Sequence, residues 1–112
     1  MKIDLPLPQD KKLTILFRVE PGCLGPKGRE LIDEFCNHAQ LEIANLDVDY
    51  IHWKIVPRHD KSLTETQYMI NNKNLSHDQA AKYLSILSKS LAEFEDRFHE
   101  KLIHLIEAYT KN

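Results

Sequence analysis

Beyond Ser76 the chain runs to its end without a glycine or a proline, and across that stretch its apolar residues recur at helical spacing. Leu84, Leu87, Leu91, Phe94, Phe98, Leu102, Leu105 and Tyr109 form one stripe, which Ile103 and Ile106 widen in the last third. Ser76 with Gln79 makes a capping box, so the pattern predicts one helix over 76–110. At ~1.5 Å per residue it would reach roughly 50 Å, against the ~30 Å expected across a compact domain of this size. An apolar rod of that length needs a partner. The expectation is a homodimer formed through the C-terminal helix, closed and symmetric as most soluble oligomers are.

Upstream, "KKLTILFRVE" alternates Leu13, Ile15, Phe17 and Val19 against polar neighbours, the period of a half-buried strand. Gly25 and Pro26 then suit an N-cap and a first helical position. Leu31, Ile32, Phe35, Cys36, Ala39, Ile43 and Leu46 continue as the apolar stripe of a helix. "DVDYIHWKIV" sets Ile51, Trp53 and Ile55 opposite Tyr50, His52 and Lys54, a second strand. After the polar loop "PRHDKSL", "TETQYMIN" reads as a third strand pairing back on the second, closed by a turn at Asn71, Asn72 and Asn74. Residues 1–12, with Pro6 and Pro8, form an arm or an edge strand. Residues 13–112 then make one α+β domain, a two-layer sandwich of βαββα order. This is a ferredoxin-like plan without its last strand, with a three-stranded, mainly antiparallel sheet.

Composition narrows the function classes. A chain of 112 residues suits one core. Its net charge of −2, with both signs interspersed, excludes a broad attraction to nucleic acid or anionic lipid. Two cysteines read as free thiols in a reducing compartment. "MKIDLPLPQDKK" lacks the apolar core of a signal peptide, and no run approaches the ~18 apolar residues of a membrane span. A soluble, cytoplasmic protein is expected.

The stretch "EPGCLGPKGRELIDEF" carries the chain's three glycines at three-residue steps. They turn the chain from strand to helix. The N–H groups of the helix that follows would suit an anion, with Lys27 and Arg29 adding charge. The candidate ligand site is Gly22, Cys23, Gly25, Lys27, Gly28 and Arg29, for a small anion held weakly. The spacing matches neither the phosphate-binding loop nor the dinucleotide fingerprint. Cys23, just upstream of a helix N-terminus and near Lys27, sits where a thiol gains thiolate character.

"LGPKGREL" resembles the GxxG loop of KH domains: Leu24 precedes Gly25, and Leu31 follows Gly28 by three, with Pro26 and Lys27 inside. That resemblance implies a loop clamping a nucleic-acid backbone, followed by two strands and a helix. A KH domain of this strand order has a helix before its GxxG, where this chain has only "EPGC". The acidic balance also argues against nucleic acid.

"HEKLIH" separates its histidines by five residues, turning them about 140° apart on a helix, so it is not the zinc-binding HExxH. Glu30, Glu34 and His38 share one helix face, which reads as solvated. Neither a metal nor a cofactor is predicted. The sheet face opposite the helices carries Arg18, Tyr50, His52 and Lys54, a candidate pocket between subunits. The reading is a non-catalytic binding or regulatory module for a small anionic ligand. The alternatives are a small dimeric enzyme using Cys23 or His52, and KH-like nucleic-acid binding through Gly25–Gly28.

Overall fold

The computed structural model describes residues 4–111. Strand β1 (Leu13–Val19) leads through a single 3-10 turn (Pro21–Leu24) to helix α1 (Gly28–Ile43) and strand β2 (Ile51–Pro57). Strands β3 (Thr66–Ile70) and β4 (Lys73–Leu75) follow, then helices α2 (His77–Ile86) and α3 (Leu91–Thr110). The fold is α+β, with an open, mixed, four-stranded sheet in the order β2-β1-β3-β4. No helix among the described residues is long and apolar enough to cross a membrane.

Three expectations are corrected here. The sheet has four strands rather than three, and it is mixed: two of its three pairings are antiparallel, but β1 and β2 run parallel as immediate neighbours, Leu13 beside Ile51 and Val19 beside Pro57. A ferredoxin-like plan would split that pair with another strand. The third strand pairs with β1, not β2, Thr14 facing Met69 and Phe17 facing Thr66. Lys73–Leu75, read as turn, is a fourth strand in a hairpin whose two-residue loop, Asn71 and Asn72, takes φ of 49° and 67°. Asparagine tolerates that left-handed backbone, which suits the twist of a tight hairpin.

The expected rod is broken. Lys89 N–H bonds to Leu84 O and Ser88 N–H to Ser85 O, both at 2.9 Å, with Ser88 at φ 62°. This is a Schellman termination in which serine replaces the usual glycine. Ser90 then caps α3, its hydroxyl accepting from Glu93 N–H at 3.3 Å. The capping box at Ser76 and Gln79 is present as expected. With the helix divided, Leu84, Leu91, Phe94, Phe98 and Leu102 are buried within the chain. Length no longer requires a second subunit.

All three helices lie on one side of the sheet. Phe98 of α3 stacks on Trp53 at 4.5 Å and meets the edge of Phe17 at 5.1 Å, joining α3 to the buried face of β1 and β2. The outer edge of β2 is covered by one side chain of α1. Gln40 Nε2 donates to Trp53 O and Gln40 Oε1 accepts from Ile55 N–H, both at 2.8 Å, as a neighbouring strand would. The N-terminal segment adds no strand among the described residues, and residues 1–3 of the expected arm lie outside them. Its Leu7 is buried and donates to Asp49 O at 2.9 Å, while Tyr83 Oη donates to Lys11 O.

Candidate functional site

Two parallel strands joined by a helix send both following loops to their carboxyl ends, where open α/β sheets form their crevices. Here those loops are 20–27, after β1, and 58–65, after β2. They enclose an open cleft of about 640 Å³. Pro21, Gly22, Gly25, Pro26 and Gly28 supply one wall, Arg58, His59 and Lys61 the other, with Arg29 and Glu20 beside them.

The glycines are there for the turn. Gly25 has φ 89°, a conformation that side chains disfavour. At Gly28 a Cβ would lie 1.7 Å from the Pro21 carbonyl oxygen, so α1 begins packed directly on the 3-10 turn. The expected backbone cradle is mostly spent. Gly28 N–H donates to Gly25 O, and the Glu30 and Leu31 N–H groups donate to Lys27 O, at 3.0 to 3.2 Å. Positive charge in the cleft therefore comes from side chains. Cys23 and Lys27 belong to the same loop but not to the cleft wall.

Arg58 holds the second wall in place. Its guanidinium bonds Glu20 Oε1 at 2.9 Å, Leu63 O at 3.0 Å and Lys61 O at 3.3 Å, while its Nε is buried without a partner. Asp60 accepts from the Ser62 hydroxyl at 2.6 Å and its N–H at 2.9 Å, and these bonds hold its carboxyl below the usual range. His59 Nε2 lies 3.4 Å from Asp33 Oδ1 of α1, both side chains largely exposed. Glu20 is thus engaged by Arg58. Arg29 and Lys61 take part in no ion pair among the described residues.

Of the expected sheet-face quartet, His52 and Lys54 line one shallow pocket with Thr14 and Asn71, while Arg18 and Tyr50 lie apart from it. Arg18 is bound at one end of the sheet, to Thr64 O at 2.6 Å and Gln67 Oε1 at 3.1 Å. His52 lies opposite Thr14 at the other end, its Nδ1 3.1 Å from Gln9 Nε2. Burial, then the charges of Lys54 and Lys12, lower its pKa. Tyr50 precedes β2 and turns away to pack 6.0 Å from Phe94, with Lys89 Nζ 5.2 Å over its ring. Beside it Arg97 grips Asp47 with two 3.1 Å bonds, tying α3 to the turn before β2.

Cys23 is exposed in the β1–α1 turn of this βαβ unit, the setting in which a thioredoxin-like Cys-x-x-Cys pair is found. Pro26 stands at the second position, so this turn supplies one thiol. Cys36 is buried, and burial with the nearby Asp33 charge pushes its thiol pKa up to about 12. A cluster absent from the expectations joins Tyr68 Oη to Glu95 Oε2 at 2.5 Å and Glu95 Oε1 to His77 Nε2 at 3.1 Å. Burial first, then Glu95, raises the Tyr68 phenol pKa. No group of three histidines, cysteines or carboxylates suited to a metal ion occurs among the described residues. The KH-like frame finds only the 3-10 turn, not a helix, before Gly25.

Neither a protein-family model, nor a curated protein, nor a solved structure matches this chain.

Proposed function

We propose that this chain is a non-catalytic binding module for a small anion, held in the cleft at the carboxyl ends of β1 and β2. The observation that carries this reading is the charge around that cleft. Arg29 and Lys61 approach it from separate segments without ion-pair partners among the described residues, where the one carboxylate lining the cleft, Glu20, is already engaged by Arg58. Cations without local partners beside a concave surface attract an anion more strongly than the same charges spread over a convex face. Two free thiols fit action in a reducing compartment.

Thermal melting in sulfate, against chloride at equal ionic strength, tests the reading. At a ligand concentration about a hundredfold above Kd, stabilisation reaches about 2.7 kcal/mol, or roughly 10 °C for a chain this long. Charge reversal at both Arg29→Glu and Lys61→Glu should remove the shift. Equal melting in sulfate and chloride would refute it.

A second reading makes Cys23 a single-thiol nucleophile, favoured by its exposure in the β1–α1 turn. Its check is the rate of iodoacetamide alkylation against pH. A midpoint at the ordinary thiol value of about 8.5 rules this reading out.

A further inference from the structure

We infer that anion capture in this cleft is linked to protonation of His59, so that binding tightens as the pH falls. The inference rests on the cleft reading above and adds its regulation. Imidazole is the side chain whose ordinary titration falls between about pH 5 and 8. His59 stands on the cleft wall between Arg58 and Lys61, opposite Arg29 on α1.

The charges facing it come from each neighbouring element. From α1 come Arg29 and Asp33, the latter 3.4 Å away. From the end of β1 comes Glu20, engaged by Arg58. Within its own loop are Lys61 and Asp60, the latter bound to Ser62. The neutral imidazole leaves Arg29 and Lys61 as the cleft's cations without ion-pair partners among the described residues. The protonated one adds a third such charge to the same cleft.

Asp33 offsets only part of that charge, because their contact is long and wet, and exposed pairs of this kind interact weakly. Reciprocity completes the link: an anion favoured by imidazolium must itself favour uptake of the proton.

Sulfate is the probe, since it stays a dianion throughout, whereas phosphate titrates in the same range. Calorimetric titrations at about pH 8 and about pH 5.5, at fixed ionic strength, should show affinity rising roughly three- to tenfold on acidification. Repeating them in buffers of different ionisation heat should reveal fractional proton uptake at an intermediate pH. In His59→Gln both the affinity ratio and the uptake should vanish, and in Asp33→Asn the low-pH affinity should rise. Sulfate binding with no pH dependence overturns the linkage and leaves the cleft standing. A pH dependence that survives in His59→Gln also overturns it. Absence of sulfate binding at both pH values overturns the cleft reading, and the linkage falls with it.

Discussion

Replacing Gln40 by leucine keeps the size of the side chain and removes its amide. Two hydrogen bonds of 2.8 Å go with it, and Trp53 O and Ile55 N–H are left on the outer edge of β2. Each lost bond costs about 0.5–1.5 kcal/mol net if water replaces it, and about 1–3 kcal/mol if the group stays dry. Gln40 is half-buried, so the working expectation is about 2–3 kcal/mol for the pair. Unfolding entropy near 2.1 cal/mol/K per residue makes 1 kcal/mol worth about 4 °C at this length, so Tm should fall by roughly 8–13 °C. Urea melts followed by circular dichroism should show a lower midpoint with an unchanged slope. Gln40→Glu keeps an acceptor for Ile55 N–H but sets a second acceptor against Trp53 O, so it should cost at least as much as leucine while its carboxyl is ionised. A loss below about 0.5 kcal/mol for Gln40→Leu would refute the reasoning, since it would mean that water serves this edge as well as the amide does.

Gly28→Ala forces a methyl group onto the Pro21 carbonyl, and should cost about 3 kcal/mol or more in the same melts; a neutral result would contradict the close approach. Ser88→Gly relieves a positive φ at the α2–α3 junction and should stabilise by about 0.5–1 kcal/mol, whereas destabilisation would mean that the serine side chain contributes there. The lowered pKa of His52 makes the unfolded chain the better proton binder at that site. Its contribution to stability is therefore complete above the ordinary imidazole value of about 6.5 and is lost as the pH falls through the lowered folded value. Between about pH 8 and pH 5 the wild type should lose more stability than His52→Gln, and parallel curves would exclude this. Sedimentation at micromolar concentration should give the mass of one chain, because Leu91, Phe94, Phe98 and Leu102 of α3 are buried within it; a dimer would mean that the apolar surface α3 leaves open, Ile103 with it, is covered by a second copy.

Local periodicity locates β1, α1 and β2, because the direction of successive side chains is a property of the segment itself. Leu13, Ile15, Phe17 and Val19 are all buried, as their alternation implies. Which strands lie side by side is not local. Nothing within 51–57 or 66–70 states that both flank β1, one on each side. The three-residue β4 is too short for a period, and its hairpin carries Asn71-Asn72 between Ile70 and Lys73, without the glycine that usually marks a two-residue turn. The break before α3 was written in Ser90-Leu-Ala-Glu93, the Ser-x-x-Glu pattern of a second capping box. It is easily passed over because Ser88, rather than glycine, takes the left-handed position. Tyr50 shares the parity of His52 and Lys54, but the turn through Asp47, at φ 49°, lies just ahead of it and the strand begins one residue later. Of the cleft, the first loop stands out in the sequence through its glycines. The second does not, because His59 and Lys61 join Arg29 only through the parallel pairing of β1 and β2.

The connection from β2 to β3 steps over β1, a sideways distance of two interstrand spacings, or roughly 10 Å. Residues 58–65 could extend to about 27 Å. The slack folds back as an arch fastened by Arg58. Sheet topology needs only the shorter path, and the spare chain forms the second bank of the crevice. Trimming or lengthening this arch would therefore redraw what the molecule holds while leaving its scaffold as it is.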